Sequence, residues 1–280
     1  MSHGDAAERV RALVAAHLPD CEVESLVKLG AGLDNVAYEV NGSLIVRFGT
    51  GADADREARL LTAVGNYSPL PVPVPSFTDV GCLAYPKLPG VPLLDAAGVD
   101  GVPVAAELGR LLAALHAAPV DRMRKLVQTD DLPVDEWRQE ARETYSAVSS
   151  NIPSPYRRRI EAFLVTSPPD DPHTLAFSHN DLGIEHVLVD PLTGAVTGII
   201  DWSDAAIVDP AFDFGLIHRD LGPAALDAAL TAYGAAPDGL RERAVFYGRC
   251  NVFEDLAYGL ETNRERYVTK SLVALEWLFA

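Results

Sequence analysis

The sequence predicts an α+β protein in two unequal lobes, a small antiparallel β-rich lobe over residues 1–88 and a larger, mainly helical lobe over residues 89–280. Three observations carry that expectation. Two β-rich runs, Val36 to Val40 and Leu44 to Phe48, flank Asn41-Gly42, a dipeptide that accepts the positive φ angles of a two-residue hairpin. The character of the chain changes after Pro86-Lys87-Leu88-Pro89-Gly90. Beyond that point helical periodicity dominates, as in Val104 to His116, Val134 to Ser149 and Tyr156 to Val165.

The elements follow in order. Val10, Leu13, Val14 and Leu18 recur at helical spacing, so an amphipathic helix opens the chain. After the hairpin a helix is expected from Asp53 to Val64, then a connection, Pro69 to Pro75, whose prolines exclude helix. Short strands at Ser76 to Asp79 and Cys82 to Pro86 complete the antiparallel sheet. Within the helical part three short apolar runs stand out: Leu175 to Ser178, Val187 to Asp190 and Val196 to Asp201. Loops between such strands are common seats of chemistry.

Composition narrows the function. Of 280 residues, 48% are hydrophobic, enough for a substantial core. The formal net charge of −17 argues against nucleic acid or an anionic membrane surface as partner, since both demand clustered Lys and Arg. The part after Leu88 carries −13 of it, which favours a cationic ligand, although ordinary solubility charge has the same composition. No apolar run approaches the ~18 residues of a membrane span, and Met1 to Leu18 lacks a basic end followed by an apolar stretch, so a cytoplasmic protein is expected. Cys21, Cys82 and Cys250 are far apart and odd in number, which suggests neither disulfides nor a zinc site.

The chemistry concentrates in Ser178-His179-Asn180-Asp181-Leu182-Gly183-Ile184-Glu185-His186-Val187, followed by Gly198-Ile199-Ile200-Asp201-Trp202. A strand leads into a His-x-Asp loop, another leaves it, and a second Asp ends the next apolar strand. Phosphoryl transfer requires such parts: a carboxylate to orient the attacking hydroxyl and hard ligands for a magnesium ion bridging the phosphates.

With these motifs the chain resembles the aminoglycoside and macrolide phosphotransferases, through His-x-Asp, a metal ligand five residues later, Ile-Asp-Trp, and Asp209-Pro210-Ala211-Phe212-Asp213. The resemblance implies a two-lobed protein-kinase-like fold and Mg2+-dependent transfer of the γ-phosphate of ATP or GTP to a hydroxyl. It assigns Asp181 to the hydroxyl, and His186 and Asp201 to the metal. The stretch Leu29 to Tyr38 resembles the family's nucleotide loop, so Gly30 and Gly32 join the nucleotide site. Arg47 matches the basic residue on the phosphates and Glu57 its ion-pair partner, while nucleotide choice is expected to depend on backbone donors and acceptors near Tyr85, Lys87 and Leu88. Two departures stand out: Arg47 replaces the usual kinase lysine, and His186 replaces asparagine, so a packed or hydrogen-bonding His186 is an alternative. His179 is expected to brace the loop, Asp209 and Asp213 to cap helices or brace the loop, and His116 to make a structural contact.

For the acceptor, a polycationic aminoglycoside suits an acidic lobe, with Asp204, Glu254, Asp255 and Glu261 as candidate contacts. A macrolide, or an amino alcohol such as choline or homoserine, is the alternative acceptor. A nucleotide-binding module without turnover is the rival from another class.

Overall fold

The computed structural model describes residues 3–31, 35–49, 54–172, 174–234 and 236–280. Helix α1 (His3–His17) precedes strands β1 (Leu26–Ala31), β2 (Asn35–Val40) and β3 (Leu44–Gly49). Helix α2 (Ala54–Gly65), β4 (Phe77–Asp79) and β5 (Cys82–Pro86) follow. The strands form one antiparallel sheet in the order β1-β2-β3-β5-β4. Because strand side chains alternate between faces, β3 sets Val46 and Phe48 in a core with Tyr38, Val40 and the α1 residues Val10 and Val14. One residue out of phase, Arg47 emerges on the opposite face, toward α2, where it meets Glu57.

Asn41 and Gly42 adopt the expected positive φ angles, 52° and 68°. The hairpin loop nevertheless holds three residues, since Val40 pairs with Leu44. The Ser43 carbonyl accepts the Lys87 N–H instead of joining that pair. Asn41 also ties down the preceding segment: its Oδ1 accepts from Glu24 and Ser25 N–H, and its Nδ2 donates to the Glu22 carbonyl. Strand β1 was not expected. Its Val27 and Leu29 are exposed, which hides the apolar alternation, and a bulge between Lys28 and Gly30 breaks its register. Asp53 and Gly32 lie outside the described residues.

The rest of the chain runs β6 (Val91–Pro92), α3 (Gly101–His116), α4 (Val120–Met123), β7 (Gln128–Thr129), α5 (Val134–Val148), α6 (Ser154–Val165) and β8 (Ala176–Ser178). It continues with β9 (Val187–Val189), β10 (Val196–Ile199), β11 (Ala206–Val208), α7 (Phe212–Leu221), α8 (Pro223–Tyr233), α9 (Leu240–Glu261) and α10 (Glu265–Leu278). The short strands make two three-stranded sheets, β10-β9-β6 and β7-β11-β8. Helices α3 with α8, α7 with α9, and α9 with α10 pack as neighbours. Their core includes Leu108, Leu111, Leu112, Leu115, Phe214 and Phe253, all essentially sealed from water. No helix among the described residues is long and apolar enough to cross a membrane.

The connection between the two parts is held close to the β9–β10 hairpin. Gly90 has φ 98°, and a Cβ there would fall 2.6 Å from the Val189 carbonyl oxygen, so only glycine lets the backbone pass. Thr197 Oγ donates to the Pro89 carbonyl, and Ile199 N–H to that of Pro71. The proline-rich segment thereby anchors the hairpin whose end carries Asp201.

Candidate active site

Strand β8 ends at Ser178 and delivers the loop 179–186. Asn180 adopts φ 64°, and Asp201, just past β10, φ 62°; both are left-handed conformations uncommon outside glycine, held here by their surroundings. Asp213 on α7 supplies much of that hold. Its fully buried carboxylate accepts from Ser178 Oγ (2.5 Å), Asn180 N–H (3.0 Å) and Leu182 N–H (3.1 Å). Since Ser178 donates to Asp213, it accepts from His116 Nε2 (3.1 Å), which leaves His116 Nδ1 to accept from Tyr233 Oη (3.0 Å). Burial pushes the His116 imidazole down to about 4, so it is neutral and structural, as expected from its apolar helix. Asp209 accepts from Ala211 N–H and pairs with Arg243 and Tyr247.

His179 is sealed from water, donates from Nε2 to the Ile200 carbonyl (3.0 Å) and packs against Trp202 at 4.6 Å between ring centroids. Its Nδ1 has no partner among the described residues, and burial lowers its basicity. The ring therefore braces the end of β10.

Asp181, His186, Asp201, Arg47 and Glu57 converge. His186 Nδ1 donates to the Asp181 carbonyl (2.8 Å) and lies 3.3 Å from Asp181 Oδ2; His186 Nε2 faces Asp201 Oδ2 at 3.8 Å. Asp201 Oδ1 accepts from Ser203 Oγ (2.9 Å) and Arg47 (3.3 Å), while Arg47 also holds Glu57 at 2.7 Å. Burial in the cleft raises the Asp181 carboxyl to about 7, only partly offset by His186. Burial also disfavours charge on Asp201, but Arg47 and His186 outweigh it and hold this carboxyl below its ordinary value. Glu57 goes the other way: burial raises it despite the shared Arg47. One guanidinium between two carboxylates thus favours ionised Asp201. On His186 burial opposes charge, and Asp181 and Asp201 overcome it to raise the imidazole.

Of the two facing donors, the Asp201 carboxylate suits Mg2+ and the His186 imidazole suits it less well. Nδ1 is committed to the Asp181 carbonyl, so Nε2 presents its lone pair toward Asp201 Oδ2 when the ring is neutral. Adjacent ligands of an octahedral ion ~2.1 Å away stand roughly 3.0 Å apart, so His186 Nε2 and Asp201 Oδ2, 3.8 Å apart here, would close by roughly 0.8 Å to share one. No group of three His, Cys, Asp or Glu ligands occurs among the described residues. A Mg2+ ion carried in on phosphate oxygens commonly takes only one or two protein ligands.

Tyr85 lies beside Arg47, its hydroxyl pushed up to about 12 by burial. Leu88 packs over Gly198. Lys87 Nζ sits 2.5 Å from Glu39, and its N–H is spent on Ser43. Gly30 lies in β1 opposite Ala37.

On the acceptor side Asp204 is exposed beside the loop, its carbonyl accepting from Asn180 Nδ2, and it lines a cavity of about 480 Å³ with Arg56, Glu57, Asn180 and Ser203. The three α9 acids do not form one cluster. Successive helical residues turn by ~100°, so Glu254 faces a groove with Trp137, Glu140, Glu143 and Asn251, whereas Asp255 turns inward to Lys270 at 2.9 Å. Glu261 is exposed at the end of α9. Asp255 is therefore corrected to an internal ion-pair residue. Sequence reasoning missed Ser203 and the buried set Arg219, Asp220, Glu185 and Lys270; the available signal was the Arg-Asp pair on α7, which follows the apolar, buried Phe212, Phe214, Leu216 and Ile217.

A β-rich lobe whose Arg–Glu pair meets an Asp at the end of a hairpin, beside a His-x-Asp loop on a helical lobe, defines a kinase-like fold. The chain belongs to the phosphotransferase enzyme family (APH), whose model matches residues 25–246. Viomycin phosphotransferase of Streptomyces vinaceus is 30% identical over 166 residues, an alignment that spans 58% of each chain. Among solved structures, the GDP complex of wild-type aminoglycoside 2′-phosphotransferase-IIIa superposes with a TM-score of 0.72 at 23% identity, covering 96% of this chain and 97% of that one. Macrolide 2′-phosphotransferase MphH from Brachybacterium faecium gives 0.65 at 25% identity, covering 96% and 98%.

Proposed function

We propose that the protein is an antibiotic O-phosphotransferase of aminoglycoside type, moving the γ-phosphoryl group of ATP or GTP to a hydroxyl of a cationic acceptor in the cytoplasm, with the nucleotide between residues 1–88 and 89–280. The observation that carries this reading is the convergence of Asp181, His186, Asp201 and Arg47 within hydrogen-bond or near ligand distance of one another. His186 and Asp201 would hold Mg2+, which when bound neutralises charge developing on the phosphates. Arg47, backed by Glu57, contributes a fixed positive charge on the nucleotide side. Asp181, raised to about 7, orients the acceptor hydroxyl and takes its proton late in the transfer. Little covalent work remains for the protein beyond alignment.

Glu140, Glu143 and Glu254, with Trp137, line a groove of the helical lobe whose negative charge suits ammonium groups. The named relatives act on antibiotics, which supports the same acceptor class here. The macrolide relative keeps a macrolide acceptor as the second reading. Incubating the protein with γ-labelled ATP or GTP, Mg2+, and viomycin, kanamycin, gentamicin, streptomycin or a macrolide tests both. Label on one of the cationic compounds is expected. Label on the macrolide alone moves the assignment to the second reading, and label on none refutes the antibiotic class.

A further inference from the structure

Behind the loop 179–186 lies a buried ionic cluster that the transfer chemistry does not use. Lys270, on the last helix, has a side chain only 8% exposed. Its Nζ stands 2.9 Å from Glu185 Oε2, 2.9 Å from Asp255 Oδ2 and 3.6 Å from Asp220 Oδ2, with the Tyr267 ring 5.0 Å away. Arg219 grips Asp220 through two hydrogen bonds, 2.7 and 2.8 Å, and lies 3.8 Å from Asp255. Asp220 Oδ2 in turn accepts the Ile184 N–H at 3.2 Å. Glu185 folds back over its own loop, and Gly183 leaves room for it: a Cβ at 183 would stand 2.8 Å from the Glu185 carboxylate.

We propose that Lys270 is a positioning residue for phosphoryl transfer, holding residues 181–186 through Glu185 and Asp220 and coupling them through Asp255 to α9. This rests on the reading above that Asp181 and His186 perform the chemistry. The cluster sets three carboxylates against two cations, all largely out of water, so its geometry depends on each positive charge. Without Lys270, three carboxylates face Arg219 alone. Asp220 is fixed on α7 and Asp255 on α9, whereas Glu185 rides on a loop, so relief of that repulsion falls on Glu185. Its neighbour His186 and the Ile184 amide move with it. Leu182 supplies an internal contrast, because its N–H is held by Asp213 from a separate part of α7. Through Asp255 the same lysine is joined to α9, where the preceding residue, Glu254, lines the acidic groove.

Amide hydrogen exchange read residue by residue by NMR on the full chain, without acceptor, tests the proposal independently of which compound is phosphorylated. Lys270→Met should speed exchange at Ile184 and His186 by about tenfold or more while leaving Leu182 within about twofold, as expected for a local opening. In parallel, kcat should fall by about tenfold or more, read as slow nucleotide hydrolysis if no acceptor is found, with the nucleotide KM within about threefold. Glu185→Gln balances the cluster at two charges of each sign and should fold even if Lys270→Met does not; it should show the same selective acceleration. In the double variant the effects should not add, because both act on one contact. Equal acceleration at Leu182, Ile184 and His186, or none at any of them, overturns the proposal. So does a folded Lys270→Met enzyme with unchanged kcat. Failure of every acceptor with the exchange pattern intact would count against the antibiotic reading and not against Lys270.

Discussion

Replacing Asp213 with asparagine changes one buried oxygen into an amino group and removes a charge, with almost no change in shape. The carboxylate serves three donors: Oδ2 takes Ser178 Oγ and Asn180 N–H, and Oδ1 takes Leu182 N–H. If the asparagine oxygen stays on the side of Ser178 and Asn180, its amino group confronts the Leu182 N–H. That leaves a buried donor unsatisfied, at a cost of roughly 1–3 kcal/mol. The two surviving bonds drop from charge-assisted to neutral strength, a further loss of about 1 kcal/mol each. Returning a buried carboxylate's desolvation offsets part of the total. Asp213→Asn should therefore destabilise by about 3–4 kcal/mol, a large part of a typical domain's stability of ~5–15 kcal/mol. Urea unfolding followed by circular dichroism measures this, with the midpoint falling and the slope unchanged. Turnover should drop as well, since Asn180 and Leu182 flank Asp181. A stability loss below ~0.5 kcal/mol with unaltered turnover would show that Asp213 does not hold the loop.

Asp201→Ala should weaken Mg2+-nucleotide binding by titration calorimetry, because one of the two proposed ligands disappears and Arg47 loses a partner; unchanged affinity would place the metal elsewhere. The folded Asp181 carboxyl, raised to about 7 from an ordinary 3.8, contributes stability that is present at low pH and is lost as pH rises toward 7 and above. In metal-free buffer Asp181→Asn should accordingly raise Tm more at pH 8 than at pH 5.5, and an equal or reversed effect would contradict the raised carboxyl. A cationic acceptor bound by Glu140, Glu143 and Glu254 should show a KM that climbs steeply as salt shortens the Debye length from ~10 Å at 0.1 M to ~3 Å at 1 M, whereas macrolide binding, resting on apolar contact, should not weaken.

What could be read from the sequence was what local chemistry encodes. Asn41-Gly42 announced its hairpin because the dipeptide's backbone preference needs no distant partner. The His179 to His186 and Ile199 to Trp202 motifs announced the cleft because spacing along two short strands largely sets where Asp181, His186 and Asp201 meet. Strand β6 was illegible, since two residues become a strand only by pairing with β9 almost a hundred positions later. The acids of α9 looked like one patch in sequence, but a single helical step sends Glu254 to the groove and Asp255 to Lys270. The Lys87 ammonium pairs with Glu39 across the sheet, a contact with no local signature. The cluster of Glu185, Arg219, Asp220, Asp255 and Lys270 joins five positions with no common motif, and only folding brings them together.

In the proposed reaction Asp181 handles the acceptor hydroxyl while His186 and Asp201 serve the Mg2+-nucleotide. Rapid-quench transfer of label from γ-labelled nucleotide to acceptor, compared between the wild type and Asp181→Asn at saturating nucleotide and pH 7.5, tests it most directly. A loss of ~10²–10⁴-fold in the transfer step is expected, with nucleotide affinity nearly unchanged. Transfer by Asp181→Asn at close to the wild-type rate would contradict it.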